Sequence, residues 1–358
     1  MNTNQYAIIM AGGVGTRLWP FSRTNFPKQF HDLLDTGKSM LQETAKRFEN
    51  ICPLENIFIV ANEIYKDIIE QQFPNLPKDN ILLEPIKRNT APCIAYATYK
   101  IFQKNQNANI VVAPADHHIK NVNVFADTIQ KALDFTEKND ALVTLGIKPT
   151  RPDTGYGYIQ FEENKNKQVK KVIIFTEKPD LDTAKGFLKS GDFVWNAGIF
   201  IWKAKDVISA FEKYLPELSD YFEEMKDVFY TAKEQSALRN LYAQMRLNIS
   251  IDKGIMESAE NVHVILSQFD WSDVGTWKSL YEESKKDENN NVITGNVRQY
   301  DSKNCIIKMP EDKLVVIQGL ENFIVAEFDG VLLICKKDEE QRVKDFVEDA
   351  KLENKKYI

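Results

Sequence analysis

The 358-residue chain is poor in several residue types and patterns, and each shortage narrows what it can be. It has only four cysteines, Cys52, Cys93, Cys305 and Cys335, far apart and with no CxxC pair. That spacing suggests neither a zinc site nor a disulfide framework, so free thiols in a reducing compartment are expected. No apolar run approaches the roughly 20 residues of a membrane helix. No basic stretch leads into a long apolar one at the N-terminus, so no secretory leader and no membrane association are expected, and the location should be cytoplasmic. Positive charge is also short, the net charge being −6, which argues against nucleic-acid binding. An acidic chain that handles an anion must gather its basic groups locally. Arg17, Arg23 and Lys28 are gathered in one stretch, "AGGVGTRLWPFSRTNFPKQF", residues 11–30.

The length suits an enzyme domain of roughly 250 residues plus a smaller unit. Strand-like and helix-like runs alternate in the first third: "YAIIM", then "SMLQETAKRFENI" with Met40, Leu41, Thr44, Ala45 and Phe48 on one face, then "IFIVAN", "EIYKDIIEQQF" and "ILLEP". "NTAPCIAYATYKIF" opens with Asn89 or Thr90 as a cap and Pro92 in the first turn, and "NIVVAPADHH" runs from a strand into a loop. This alternation predicts an α/β fold with a mostly parallel, doubly wound, Rossmann-type sheet. The middle of the chain, with "GYGYIQF", "VKKVIIFTEKP" and "FVWNAGIFIWKA", reads as an inserted substrate-side part, followed by helix over about 205–247. After "KKDENNN" come short β runs split by Gly, Asn and Asp, and then a helical "DEEQRVKDFVEDAK". Their spacing suggests stacked β coils or a small meander. The expected division is a catalytic part over 1–288 and a β-coil part over 289–358.

A glycine-rich turn after a first strand brings backbone N–H groups close to a ligand, commonly a phosphate. Gly12, Gly13 and Gly15 fit that use, but the turn is neither of the two commonest phosphate loops. A Walker loop needs GxxxxGK[ST], which is absent. In the dinucleotide pattern the third glycine would fall at Leu18, and the strand that should end in an acid ends in Asn62.

The whole stretch resembles the signature of the sugar-1-phosphate nucleotidyltransferases, GGxGTRL with a downstream PK, and its longer form is similar to the mannose-1-phosphate guanylyltransferase branch. "EPIKRNTAP", "APADH", "FTEKP", "WNAGIF", "SIDKGIME" and "DWSDVGTW" follow in the matching order, so the resemblance spans about residues 7–277. It implies a nucleotide-binding α/β core of the nucleotide-diphospho-sugar transferase type followed by a left-handed β-helix segment. It also implies GTP and mannose 1-phosphate as substrates, Mg²⁺ as cofactor, and a homodimer. Many relatives carry a further isomerase domain. The sequence stops at Ile358, and a single activity is expected.

Residue by residue, the resemblance gives Ala11, Gly12, Gly13, Gly15 and Thr16 to the nucleotide, and Arg17 and Lys28 to the triphosphate. Arg88, Asn89 and Thr90 would read base and ribose, although that segment is also a well-capped helix start. Asp116 and Asp273 match the metal-binding aspartates. Two carboxylates suit Mg²⁺, which takes oxygen ligands and seldom a full protein cage. On residue type alone either could equally cap a loop, and Asp270 is a weaker stand-in. Lys178 matches the lysine on the sugar phosphate and Glu177 the acid on sugar hydroxyls. Gly157, Asn196 and Gly198 would line the same pocket. Thr176 and Ala197 stand where the family often has Val and Ser. His117 and His118 are poor Mg²⁺ ligands by chemistry and are expected to shape the loop after Asp116.

Overall fold

A computed structural model of the chain describes residues 2–163 and 167–358. The chain divides into two compact units, neither of them continuous in sequence. Unit 1 comprises residues 1–12, 44–115 and 119–271, and unit 2 residues 13–43, 116–118 and 272–358. The two-residue strands β5 (His118–Ile119) and β11 (Trp271–Ser272) mark two of the places where the chain passes from one unit to the other.

Unit 1 is built on a nine-stranded sheet. Its strands are β1 (Gln5–Met10), β2 (Ile57–Asn62), β3 (Ile81–Glu84), β4 (Asn109–Pro114), β6 (Leu142–Ile147), β7 (Tyr158–Phe161), β8 (Val169–Thr176), β9 (Phe193–Lys203) and β10 (Val262–Ser267), in the order β3-β2-β1-β4-β9-β6-β10-β8-β7. The four strands at the β3 end are parallel, as the alternating sequence predicts. The sheet as a whole is mixed, which corrects the expectation of a mostly parallel, doubly wound one. β9 runs antiparallel to both β4 and β6, and β8 runs antiparallel to β10 and β7. The physical reason lies in "FVWNAGIFIWK". A continuous apolar run says that a strand is buried on both faces, and it carries no mark of direction.

The helices of the chain are α1 (Met40–Phe48), α2 (Lys66–Gln72), α3 (Thr90–Lys104), α4 (Val122–Lys138), α5 (Leu181–Ser190), α6 (Ala204–Tyr214), α7 (Pro216–Glu223), α8 (Glu234–Gln244), α9 (Trp277–Glu283) and α10 (Val343–Glu353). The stretch expected to be helical over about 205–247 is three of them, α6 to α8. α3 is buried along most of its length and lies against α6 and α7. A buried cation fastens α8 to it. Lys100 Nζ donates to both Glu234 carboxylate oxygens at 2.8 and 2.9 Å, and Tyr96 Oη (2.6 Å) and the Tyr230 N–H (2.7 Å) donate to the same carboxylate. With four hydrogen bonds from three donor groups on one carboxylate, the cost of burying the charge is offset locally.

Unit 2 carries the β coils. β12 (Val292–Thr294), β14 (Ile306–Lys308) and β16 (Phe323–Phe328) pair in parallel, and β17 (Val331–Lys336) closes that sheet antiparallel. β13 (Val297–Tyr300) and β15 (Val315–Gln318) form a second parallel pair. Successive strands therefore alternate between two sheets, which is a stacked coil and not a meander. β14 is buried on both faces. Ile306 packs with Ile324, Leu18, Trp19 and Trp277, while Ile307 packs with Val325, Ile317 and Cys305. The first of these clusters shows why residues 13–43 belong here: the signature stretch supplies part of the core. Trp277 Nε1 donates to the Trp19 carbonyl (3.2 Å), and Trp19 Nε1 donates to the Tyr357 carbonyl (2.7 Å). Among the described residues no helix is long and apolar enough to cross a membrane.

Candidate functional site

Unit 2 holds one of two constellations. The signature turn leaves β1 and enters a 3₁₀ turn, Thr16–Leu18, through Gly15 at φ 67°. A side chain at Gly15 would be strained by that φ and would sit 3.0 Å from Lys28 Cβ. Ser22 then pins the loop, donating to the Val14 carbonyl and accepting from the Lys28 N–H at 3.0 Å. Gly13 faces open space, and Thr16 and Arg17 are exposed; the preceding Ala11, buried after β1, and Gly12, which also faces open space, belong to unit 1.

Lys28 is buried, its side chain only 3% exposed. Its ammonium donates to the Asp116 carboxylate (3.0 Å), to the Asp116 carbonyl (2.9 Å) and to the Asp273 carbonyl. Residues 28, 116 and 273, far apart in sequence, thus meet around one cation. Burial alone would raise the Asp116 carboxyl, but the Lys28 ammonium and His117 outweigh it and hold the group below its usual range. Asp116 keeps a third of its side chain exposed. The Asp273 carboxylate accepts from the Gly275 N–H at 3.2 Å, the first link into α9.

This set of oxygen donors has the chemistry of a hard divalent cation site. It offers two carboxylates and no thiol, and one ammonium leaves a net negative site. Among the described residues no group of three or more His, Cys, Asp or Glu is placed to hold a metal, so the remaining ligands would be phosphate oxygens and water. His118 is directed at Glu283 (3.8 Å).

Arg23 lies elsewhere than beside this cluster of donors. It is buried, and its guanidinium donates to the Pro20 carbonyl (3.1 Å), the Phe328 carbonyl, the Asp329 carboxylate (3.2 Å) and the Lys356 carbonyl (3.4 Å). It binds the signature stretch to the end of the chain.

Unit 1 holds the second constellation. Asn89 caps α3, its side-chain oxygen accepting from the Thr90 N–H. Its backbone sits at φ 72°, ψ −169°, a region that is close to glycine-only. The contacts around it keep it there. Thr90 Oγ1 accepts from the Ile251 N–H (2.9 Å), and the Ala91 N–H donates to the Ile249 carbonyl (3.1 Å). Next to it, Arg88 Nε is buried with no hydrogen-bond partner in the protein.

Gly157, Glu177, Lys178, Asn196 and Gly198 also come together. Lys178 donates to Glu177 at 2.6 Å and has a left-handed backbone, φ 49°. The Glu177 side chain is 8% exposed and that of Lys178 60%. A Cβ on Gly157 would lie 2.7 Å from Glu177 Oε2 and 3.3 Å from Asn196 Cβ. Asn196 Oδ1 accepts from Thr144 Oγ1 (2.8 Å) and from the Gly198 N–H (3.1 Å). Two residues outside the sequence-based set join them. Asp252 accepts from Asn196 Nδ2 (2.8 Å), and Glu257 accepts from the Glu177 N–H (2.8 Å). Burial and the neighbouring Glu177 charge push the Asp252 carboxyl up to about 7. Both lie in "SIDKGIME", and the only signal for them was two acids in a run that matched the family as a whole.

Comparison with known proteins identifies the family. Residues 6–290 match the nucleotidyl transferase family model, and residues 295–349 match the model of the MannoseP isomerase/GMP-like beta-helix domain. A mannose-1-phosphate guanylyltransferase of Escherichia coli is 36% identical over 99% of this chain and 78% of its own length. One from Salmonella montevideo is 38% identical over 97% and 74%. Among solved structures, mannose-1-phosphate geranyltransferase from Thermus thermophilus superimposes with a TM-score of 0.86 at 29% identity, covering 97% of this chain and 99% of its own. The chain is therefore a member of the nucleotidyl transferase family and, within it, of the mannose-1-phosphate guanylyltransferases.

Proposed function

We infer that the chain transfers a guanylyl group from GTP to mannose 1-phosphate, giving GDP-mannose and pyrophosphate. The near-full-length match to guanylyltransferases at 36–38% identity carries this. It is a nucleotidyltransferase of polysaccharide precursor synthesis, as the kinship extends to an alginate biosynthesis protein of Pseudomonas putida.

The residue assignments are our proposal. The phosphate of mannose 1-phosphate is already largely dianionic near neutral pH, its second pKa being about 6. No general base is needed, and the work lies in holding two polyanions in line and neutralising charge at the α-phosphorus. In unit 2, Asp116 and Asp273 would hold Mg²⁺, with Gly13, Gly15 and Thr16 of the loop and the side chains Arg17 and Lys28 on the triphosphate. Mg²⁺ supplies charge neutralisation at the phosphate oxygens when bound. The oxygen-only donor set around Lys28 supports this.

In unit 1, Arg88, Asn89 and Thr90 would read base and ribose, which the orphaned Arg88 Nε and the strained Asn89 backbone support. Glu177, Lys178, Asn196, Gly157 and Gly198 would take the sugar phosphate. Lys178 is an exposed cation on a strained backbone beside a shielded acid, which suits a phosphate beside hydroxyls. The end of one family match at residue 290 and the start of the next at 295 support a functional division at 288/289. A cytoplasmic homodimer is consistent with these relatives.

Pyrophosphate release from GTP with mannose 1-phosphate tests the activity, and a panel of four nucleoside triphosphates tests the base. Absence of release with GTP, or preference for another triphosphate, overturns the reading.

A further inference from the structure

Nine residues, Ile249 to Glu257, reach all three segments assigned above to base and sugar. The Ile249 carbonyl and Ile251 N–H hold Thr90 and Ala91, Asp252 holds Asn196, and Glu257 holds the Glu177 N–H. Residues Asp252–Met256 form a π-helical turn, a form that is rare in folded proteins and frequent at functional sites. The turn is seated tightly, since a Cβ on Gly254 would lie 2.8 Å from Leu215 Cδ1.

The consequence follows from counting the bonds an amide can make. A carboxamide has one acceptor oxygen with two lone pairs and two N–H donors. The Gly198 N–H can only donate, so the atom 3.1 Å from it is the Asn196 oxygen and the amide orientation is fixed. The single Thr144 hydroxyl proton is shared between the second lone pair (2.8 Å) and the Ile199 carbonyl (3.1 Å), and Asp252 takes one N–H. A single N–H is left. Beside it the Glu177 carboxylate can only accept when ionised. The pocket therefore offers one donor and one acceptor group in a fixed arrangement.

We propose that Asp252 is a positioning residue for sugar recognition: by taking one N–H of Asn196 it fixes the amide so that one remaining N–H, next to the Glu177 acceptor, meets the hydroxyls of the sugar 1-phosphate. This rests on the assignment of Asn196 and Glu177 to the sugar. Asp252 touches no substrate in this scheme.

Steady-state kinetics on the full chain, with each substrate varied separately, tests it. Asp252→Ala should raise the KM for mannose 1-phosphate about tenfold while the KM for GTP stays within twofold. Asp252→Asn, whose amide oxygen still accepts, should stay within about threefold of the parent for both. Because Asp252 acts through Asn196, the double variant N196A/D252A should be no worse than N196A alone. Equal rises in both KM values, or additive losses in the double variant, overturn the inference. If Asp252→Ala does not fold, N196D/D252N serves in its place. It keeps the pair bonded but removes the free N–H, so it should fold and bind mannose 1-phosphate at least tenfold more weakly, and unchanged binding overturns the inference. Should N196A itself leave the mannose 1-phosphate KM unchanged, the sugar assignment falls, and the inference with it. A raised KM in N196A beside a neutral Asp252→Ala sinks the inference alone.

Discussion

Gly157→Ala is the smallest change that should separate sugar binding from the rest of the reaction. A Cβ there would lie 2.7 Å from Glu177 Oε2, whereas ordinary contact begins at 3.4 Å. The carboxylate must retreat by about 0.7 Å on these distances. It cannot swing freely, because Oε1 is bonded to Lys178 Nζ at 2.6 Å and the Glu177 N–H is bonded to Glu257. A hydrogen bond to a charged group is worth about 1.5–3 kcal/mol. Loss of one such bond to a sugar hydroxyl corresponds to a rise of about 10- to 150-fold in the KM for mannose 1-phosphate. The KM for GTP should not move. The backbone gives no reason for a stability loss, since Gly157 does not have a positive φ. Gly186→Ala, in the middle of α5 with open space around its Cα, is the matched control. It should leave both KM values unchanged and stabilise the fold by about 0.5–1 kcal/mol. Initial rates of pyrophosphate release and thermal melts measure both. A Gly157→Ala enzyme with the parent KM for mannose 1-phosphate would refute the placement of Glu177 at the sugar.

Asp116→Asn should lower kcat at least a hundredfold and, because it leaves the buried Lys28 ammonium without its carboxylate partner, should also lower the melting temperature, with the circular dichroism spectrum of the fold retained; a parent-like rate would remove Asp116 from the metal site. Chelation should abolish turnover and Mg²⁺ restore it, with the circular dichroism spectrum constant throughout, because the Lys28 ammonium already balances the Asp116 carboxylate without a metal ion. Glu84 is buried and accepts from Tyr242 Oη, and burial raises its carboxyl to about 7 against an ordinary 4.5. The folded state thus holds a proton that the unfolded state has lost, so this contribution is complete below pH 4.5 and is lost as pH rises through 7, by about 3 kcal/mol in all. Glu84→Gln should flatten that part of the denaturant-midpoint profile. Removal of residues 355–358 deletes acceptors of Arg23 and Trp19, and should cost about 1–3 kcal/mol and open the stretch 11–30 to protease.

What the sequence reveals here is local. The Asn89 cap and the helix it starts, the parallel strands β1 to β4, and the β coils after 292 all follow from short-range pattern. The grouping of Glu177, Lys178, Asn196 and Gly157 comes from motif resemblance, and the contacts among them agree with it. Three things escape such a reading. The direction of β9 is settled by its neighbours, since "FVWNAGIFIWK" would fit a buried strand either way. Asp252 and Glu257 act through hydrogen bonds made by a π turn, and a π turn has no sequence period. Arg23 stands among basic residues that look alike in the chain, yet all but one of the partners named for it lie more than 300 residues away, at Phe328, Asp329 and Lys356.

Those distant partners also set a timetable. Lys28 and Asp273 are 245 residues apart, and Trp19 and its acceptor Tyr357 are 338 apart. At about 5–20 residues per second, a ribosome needs roughly 12–50 s to pass from the first of the former pair to the second. Through that interval the signature stretch is outside the ribosome without its core, holding Trp19 and Phe21 in water. The segment that opens the chain's chemistry is thus among the last to be finished in its folding, and a nascent chain can bury Leu18 and Trp19 only once its C-terminal coils have been made.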